Sequence, residues 1–378
     1  MQGDFVSRPV LTISREGHLT DRKKTELPLK VALVGYGFAG KTFHAPLLTH
    51  LPGLQLTHIV SSDSTKVRQD HDVTVLAKPE DAFALPEIDL IVIATPNSTH
   101  FNLASRGISA GKHVVVDKPF TVTSEEAAEL ISLAEKHQRV LSVFQSRRWD
   151  GDFLTLRQIL REGCLGEVIQ FESRYDRYRP EPRQRWREQA VPGAGVWFDL
   201  GSHLVDQALQ LLGPPDAIYA DLELQRRGAQ AVDYFHAVLR YGRSRAILTA
   251  GCLVVSETPR FAVYGTAGGF TKFGMDTQEE SLKRGEVPGS PGWGHDPRTG
   301  TLVKAKDGGV ETRQVPNIPG NYLAYYEAIR DAIALGAPNP VPPEEGLAVI
   351  KLLEAGIRSS VAHAELPYNQ ASNRSSAI

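Results

Sequence analysis

The feature that most restricts the fold is a glycine-rich turn between a short apolar strand and a helix. The segment VALVGYGFAGKTFH places Gly35, Gly37 and Gly40 in a G-x-G-x-x-G pattern. The first glycine permits a tight turn, the second lets the backbone approach a pyrophosphate at the helix N-terminus, and the third allows close packing. The alternative is a glycine cluster used only for packing. We predict a dinucleotide site that also includes Tyr36, Phe38 and Ala39.

Strands and helices alternate along the first part of the chain. After the strand at 30–34, apolar β-rich stretches recur between mostly helical segments, at 54–60, 73–77, 89–95, 112–118 and 139–147. Alternating elements with short connections are typical of a doubly wound parallel sheet. We therefore predict an α/β protein that begins with a Rossmann domain at 29–148.

The pattern changes after Arg148. Successive β-like stretches without intervening helices follow, at 217–225, 233–241, 245–255 and 260–274. Two late stretches have helical spacing, and the segment 281–320 is rich in glycine and proline, so we predict it to be a loop. This order of elements predicts an α+β domain with a mostly antiparallel sheet at 149–368. The polar segments 1–28 and 369–378 are expected to be a loosely ordered extension and a frayed tail.

The composition excludes several classes of function. Lys+Arg 42 and Asp+Glu 44 give a net charge of −2, so nothing favours a nucleic acid or an anionic membrane as partner. No apolar run reaches the roughly 18 residues of a membrane span. Cys164 and Cys252 are the only cysteines, which is typical of a reducing compartment and gives no metal-finger spacing. Residues 1–28 lack the apolar core of a signal peptide. We expect a cytoplasmic protein without a metal site.

The end of the second strand bears on the choice of dinucleotide. NAD-binding domains place an acidic residue there, whereas this segment reads HIVSSDSTKVR. Ser61 and Ser62 come first, Asp63 is late, and Lys66 and Arg68 follow. Small hydroxyls and nearby cations suit an additional 2′-phosphate, so we predict NADP rather than NAD, bound by the two serines and the two cations. The alternative is that Lys66 and Arg68 are solvated helix residues and that Asp63 holds the ribose.

Polar residues also follow the next two strands, where ligands of parallel sheets bind. We predict further cofactor contacts from Thr95, Pro96, Asn97, His100, Asp117, Lys118 and Pro119. Lys118 is placed to donate a hydrogen bond to a substrate oxygen and to offset its developing charge. The alternative is a lysine that extends from the strand end into solvent. The Lys118–Pro119 bond is a candidate cis peptide.

A second group of chemically active residues lies in GAGVWFDLGSHLVDQ. Asp199 and His203 are four residues apart and therefore share one face of a helix. A histidine accepts an alcohol proton near neutral pH, and a neighbouring carboxylate tunes it or binds substrate. The alternative is an ordinary surface pair.

A polar cluster with aromatic rings suits a polyhydroxylated substrate. The predicted substrate contacts are Arg147, Arg148, Trp149, Tyr175, Trp186 and Tyr234. For the arginines, the alternative is a set of salt bridges that frames the junction of the two domains.

The glycine segment, ATPNSTHFNLASRGISAGKHVVVDKPF and GAGVWFDLGSHLVDQ together resemble the Gfo/Idh/MocA oxidoreductases over 29–367. The resemblance implies a large open-faced sheet in the second domain that forms a homodimer or homotetramer. It also implies that the family's catalytic Lys, Asp and His correspond to Lys118, Asp199 and His203. Asp117 stands where glutamate is usual, which shortens the reach of that carboxylate.

Within the family, the segments GFAGKTFHAPL and RWREQAVPGAGVWFDLGSHLVDQ are most similar to the NADP-dependent scyllo-inositol dehydrogenase branch. The resemblance implies oxidation of a cyclitol or sugar alcohol, with His203 as acid and base and Lys118 polarising the reacting oxygen. The alternatives are a reductase or dehydrogenase of another sugar or aldose, and a sensor that binds NADP without turnover.

Overall fold

Six parallel strands form the sheet of the N-terminal part. The structure is a computed structural model that describes residues 28–368, so our expectations for 1–27 and 369–378 lie outside it. The sheet order is β3-β2-β1-β4-β5-β6, which is the order of dinucleotide-binding domains and confirms the predicted Rossmann fold. The strands are β1 Leu29–Val34, β2 Leu54–Val60, β3 Thr74–Leu76, β4 Leu90–Ile93, β5 His113–Asp117 and β6 Leu141–Phe144.

Helices cover both faces of this sheet, so the central strands β1, β4 and β5 are almost entirely buried. A π-helical turn at Gly40–His44 leads into the first helix. At the start of α5, the Thr123 side chain and the Glu126 carboxylate accept hydrogen bonds from each other's backbone N–H. The helices are α1 Ala45–His50, α2 Ser64–Asp70, α3 Pro79–Ala84, α4 His100–Ser109 and α5 Ser124–His137.

A nine-stranded sheet forms the second domain, in the order β14-β13-β12-β11-β7-β10-β9-β8-β15. Strands β7 and β10 pair in parallel, and the other neighbours within residues 28–368 pair antiparallel, which confirms the predicted sheet. The strands are β7 Val168–Arg174, β8 Ala217–Glu223, β9 Tyr234–Tyr241, β10 Ser244–Gly251, β11 Pro259–Gly265, β12 Gly268–Phe273, β13 Gly300–Lys306, β14 Gly309–Val315 and β15 Leu366–Pro367.

The hairpin of β13 and β14 corrects the loop that we predicted at 281–320. The two strands pair antiparallel from Gly300 opposite Val315 to Lys306 opposite Gly309. Six of the seven β14 residues are exposed, so the strand has no apolar face. Because β14 shows no alternation of apolar and polar residues, the glycine and proline content of 281–320 led us to predict a loop.

One face of the large sheet is covered and the other is open. Phe171, Phe235 and Phe261 are buried on the covered face, whereas Tyr219 and Tyr264 are exposed on the other. The expected contact between subunits through this open face stays a prediction. Within residues 28–368 no helix is long and apolar enough to cross a membrane. The remaining helices are α6 Gly151–Arg161, α7 Ser202–Leu212, α8 Gln278–Lys283, α9 Leu323–Leu335 and α10 Pro343–Ala362.

Helix α10 joins the two sheets, because it packs on α5 as well as on α7 and β8. Two glycines allow the close approach. A Cβ added at Gly346 would lie 2.8 Å from the Val143 side chain, and one at Gly356 would lie 2.5 Å from the Trp197 ring. The Trp197 indole N–H also donates to the Leu353 carbonyl at 2.9 Å. Helix α10 therefore sets the position of Trp197, where the turn that carries Asp199 begins.

Replacing Gly356 with alanine should destabilise the protein, although alanine is the better helix former. The added methyl group overlaps the Trp197 ring, and overpacking of this kind costs about 1–3 kcal/mol, more than the roughly 0.5–1 kcal/mol gained in helix propensity. Urea unfolding measures the change. Val361→Ala, at a position on α10 that is 77% exposed, is the control and should stay within about 0.5 kcal/mol of the wild type. A stabilised Gly356→Ala variant would contradict the packing argument.

Candidate active site

The glycine turn has the geometry that a pyrophosphate requires. Gly35 adopts φ +99°, and a Cβ there would lie 2.6 Å from the Ala94 carbonyl oxygen. A Cβ at Gly40 would collide with the Gly35 carbonyl, whereas one at Gly37 would meet nothing within 4 Å. Two glycines therefore shape the turn, and the third leaves its backbone open to a ligand. The residues present fit a bound dinucleotide.

The segment after β2 brings Lys66 to this turn. The Lys66 ammonium group donates to the Tyr36 carbonyl at 3.1 Å. The Asp63 carboxylate caps α2 by accepting from the Lys66 backbone N–H at 3.0 Å. The backbone N–H of Asp63 donates to the Ser61 hydroxyl at 3.1 Å. Arg68 is exposed on α2, and residues two apart on a helix do not face each other. Lys66 and Arg68 therefore lie on different faces of α2. One oxygen of the Asp63 carboxylate is used by the helix cap.

The residues beyond β4 connect the two domains. The His100 ring is fully buried, with Nδ1 3.0 Å from the Pro119 carbonyl and Nε2 3.0 Å from the Thr95 carbonyl. The Asn97 amide donates to the Gly193 carbonyl at 2.8 Å. Both ring nitrogens of His100 face backbone carbonyl groups, and the neutral ring donates to one of them, so the structure favours a role in holding this loop over the cofactor contact that we predicted.

Lys118 and Asp199 meet across the domain junction. The Lys118 ammonium group donates to the Asp199 backbone carbonyl at 2.7 Å and to its carboxylate at 3.1 Å. The Lys118–Pro119 peptide is cis, as the sequence suggested. Burial alone would raise the pKa of Asp199, but the charges of Lys118 and Arg187 outweigh it and lower that pKa. The carboxylate is therefore ionised at neutral pH.

Asp117 faces the interior. Its carboxylate accepts from the Lys118 backbone N–H at 2.8 Å and lies 3.8 Å from Nε2 of the buried His44 ring. Burial would raise the pKa of Asp117, but His44 and Lys118 outweigh it and lower that pKa. With 7% of the residue exposed, the structure favours support of the Lys118 backbone over the predicted cofactor contact.

His203 is a buried neutral base. Its ring lies edge-on to Tyr175 with centroids 6.2 Å apart, and Nδ1 has no hydrogen-bond partner in the described part of the chain. Burial, together with the charges of Lys118 and Arg147, lowers the pKa of His203 well below its ordinary value. The residue follows a π-helical turn at Trp197–Gly201, a distortion that is frequent at functional sites. A neutral imidazole is the form that accepts a proton.

Arg147 and Arg148 are held in buried ion pairs, which favours the framing role over the predicted substrate contacts. Arg148 Nε donates to the Asp206 carboxylate at 2.8 Å, and another guanidinium nitrogen pairs with Glu345. Arg147 pairs with the Glu279 carboxylate. These contacts satisfy both guanidinium groups within the junction of the domains.

The predicted aromatic contacts separate in the structure. Tyr175 lies beside His203, and its hydroxyl accepts from Arg260 at 3.0 Å. Trp149 packs edge-on against Tyr325, with ring centroids 5.5 Å apart. Trp186 lies under the guanidinium group of its chain neighbour Arg187.

Tyr234 corrects one of these predictions. Its neighbour Phe235 packs on Trp197 with ring centroids 4.9 Å apart, on the covered face of the sheet. Successive residues of a strand point to opposite faces, so Tyr234 points away from the helices that carry the site.

Sequence reasoning missed two arginines of the segment RYRPEPRQRWRE. Arg177 and Arg187 line a small recess together with Asp199. Arg187 Nε lies 3.5 Å from the Asp199 carboxylate, and its guanidinium carbon lies 4.6 Å from the Trp186 ring centroid. The repeated arginines were a signal, but their spacing does not show which of them turn inward.

A Rossmann sheet with an open glycine turn, next to a lysine, a carboxylate and a neutral histidine, defines a dinucleotide-binding oxidoreductase. Residues 29–145 match the oxidoreductase family described as "NAD-binding Rossmann fold", and residues 157–366 match its "C-terminal alpha/beta domain". The chain therefore belongs to the Gfo/Idh/MocA oxidoreductase family.

Relatives extend over most of the chain. It is 51% identical to the oxidoreductase YdgJ of Escherichia coli over 339 residues, covering 89% of this chain and 98% of that protein. It is 40% identical to the scyllo-inositol 2-dehydrogenase (NADP(+)) IolW of Bacillus subtilis over 345 residues, covering 90% and 96%. The solved structure of an oxidoreductase from Yersinia pestis matches with a TM-score of 0.88 and 51% identity, covering 92% of this chain and 99% of that one.

The depressed pKa of His203 predicts a pH-dependent stability. As the pH falls through about 6.5, the unfolded chain binds a proton that the folded, buried ring does not, so stability is lost. Replacing His203 with glutamine should reduce the loss in unfolding free energy between about pH 7.5 and 5.5 by about 1.4 kcal/mol. Urea unfolding at both pH values measures it. Identical losses in both proteins would show that His203 is not a neutral buried base.

Proposed function

We propose that the protein is an NADP-dependent dehydrogenase or reductase that acts on a secondary alcohol of a cyclitol or sugar. The observation that carries the proposal is the arrangement of Lys118, bonded to Asp199, near the buried neutral His203. Lys118 follows β5, Asp199 lies in the turn before α7, and His203 lies in the first turn of α7, beyond the carboxyl edge of the Rossmann sheet. This is the edge at which ligands of such sheets bind.

The chemistry follows from the charge of each group. A bound nicotinamide dinucleotide supplies the hydride acceptor for oxidation and the hydride donor for reduction. His203, kept neutral by burial and nearby cations, accepts the proton of the reacting hydroxyl. Lys118 donates a hydrogen bond to the same oxygen and stabilises its developing negative charge. Asp199 holds the Lys118 ammonium group and offers a carboxylate oxygen to an adjacent hydroxyl.

The relatives support the substrate class. IolW is named as a scyllo-inositol 2-dehydrogenase, and an E. coli relative, 27% identical over 196 residues, is named as a D-glucoside 3-dehydrogenase. Both names describe oxidation of a ring hydroxyl. Another sugar or aldose on the same scaffold is the second candidate, and a substrate panel separates it from the first.

Replacing His203 with alanine should lower kcat by about 10²–10⁴-fold, the usual contribution of general acid and base catalysis. Binding of NADP, followed by calorimetric titration, should be nearly unchanged, because the imidazole acts on the substrate proton. The reduced-nicotinamide absorbance measures turnover of inositols and aldoses. His236→Ala, at a ring that contacts Thr249 on the open face, is the control and should keep its activity. Full activity of His203→Ala would remove the proton-transfer role.

We infer that the preferred dinucleotide is NADP. Lys66 reaches the glycine turn, while the Asp63 side chain caps α2. A cation at the glycine turn, with the Asp63 carboxylate engaged in a cap, suits a 2′-phosphate better than a free ribose hydroxyl. The name of IolW agrees with this inference.

Replacing Lys66 with alanine should raise the KM for NADP by about tenfold, the equivalent of about 1.4 kcal/mol, and leave the KM for NAD nearly unchanged. Arg68→Ala is the matched control, because the same charge is removed from a different face of α2. Steady-state kinetics with both dinucleotides measures the change. Equal losses for NADP and NAD, or a larger effect of Arg68, would contradict the inference.

A further inference from the structure

The recess beside Asp199 is lined by four arginines and two carboxylates. Two of the arginines are paired within the protein. Arg226 donates to Asp233 at 2.8 Å and to Glu188 at 3.0 Å, and Arg185 donates to Glu188 at 2.7 Å. The charges of Arg185 and Arg226 are therefore balanced by those of Glu188 and Asp233.

The rest of the site does not balance. Lys118, Arg177 and Arg187 bring three positive charges to the side of the recess where Asp199 brings one negative charge. Within residues 28–368 Arg177 forms no ion pair, and its Nε atom is buried without a hydrogen-bond partner. The neighbouring carboxylate of Asp176 is used elsewhere, since it accepts from Gly251 and Thr258.

The surplus positive charge attracts an anion. Arg177 and Arg187 are partly buried, so they lose part of their hydration, and a partner of opposite charge offsets that loss. A guanidinium group presents a planar set of donors that matches the two oxygens of a carboxylate or phosphate. Arg177 and Arg187 lie within reach of Asp199, so an anion bound by them would lie beside the reacting groups.

We propose that the substrate carries an anionic group, a carboxylate or a phosphate, that Arg177 and Arg187 bind while the reacting hydroxyl faces Lys118 and His203. The inference rests on the proposed function and narrows its substrate class to sugars or cyclitols that carry a carboxylate or a phosphate. The anionic group takes no part in the bond changes. The hydride of the broken carbon–hydrogen bond would pass to a bound oxidised nicotinamide, the hydroxyl proton passes to His203, and a carbonyl group forms.

The test measures binding apart from turnover. Sugar acids, such as gluconate and glucuronate, and sugar phosphates are each paired with the neutral parent sugar. They are titrated calorimetrically into the NADP-loaded protein at constant ionic strength. We expect at least one charged member to bind about tenfold more tightly than its parent. A preference for acids over phosphates, or the reverse, identifies the anionic group.

The variants assign this preference to the recess. Arg177→Gln should reduce the charged compound's affinity about tenfold and leave that of the neutral parent unchanged, whereas Arg177→Lys should restore part of it. Arg183→Gln is the matched control, because Arg183 is an exposed arginine of the same loop. It should bind as the wild type does.

The outcomes separate the two proposals. If each charged sugar binds with the same affinity as its neutral parent, or if neither binds, the proposal of an anionic substrate is wrong. It is also wrong if the Arg177→Gln variant binds the charged compound as tightly as the wild type does. If sodium sulfate competes for the site as well as the charged sugar binds to it, the site holds an adventitious ion only. If charged sugars bind through Arg177 but no compound is turned over with NADP or NAD, the anion site stands and the oxidoreductase assignment of this site fails.

Discussion

The site depends on the ion pair between Lys118 and Asp199. Lys118 directly follows strand β5 of the Rossmann sheet, and Asp199 precedes a helix of the second domain. Neither domain alone holds both charges, so the docking of the domains creates the site. Helix α10 maintains that docking, because it packs on both domains and positions Trp197 two residues before Asp199.

Lys118 lowers the pKa of both His203 and Asp199, with different results for their charge. Burial, together with Lys118 and Arg147, lowers the pKa of His203, so the imidazole is neutral. Burial would raise the pKa of Asp199, but Lys118 and Arg187 outweigh it and lower that pKa, so the carboxylate is ionised. A proton acceptor and an anion thus lie side by side at neutral pH. Because the groups are largely buried, these interactions are stronger than they would be in water. Arg177, which forms no ion pair in the described part of the chain, adds positive charge to this environment, which favours an anionic ligand.

Features that depend on the local backbone conformation could be predicted from the sequence. The glycine pattern foretold the turn, and the Lys118–Pro119 peptide was correctly suspected to be cis. The roles of side chains whose partners lie far away in the sequence could not be predicted. Arg148 was expected to bind substrate, but Asp206, 58 residues away, engages it. The hairpin of β13 and β14 was missed because an exposed strand carries no apolar alternation.

The sequence by itself determined the two-domain α/β class and the dinucleotide turn. These follow from local periodicity and from backbone conformations that few residues allow. The choice of Lys118, Asp199 and His203 as the reacting groups came from the resemblance to a known family and stays a prediction. Only the tertiary structure decided which arginines are paired, that Asp117 and His100 face backbone groups of the loops, and that Arg177 forms no ion pair within residues 28–368. Charge pairing depends on groups far apart in the chain, and their distances are set when the domains pack together.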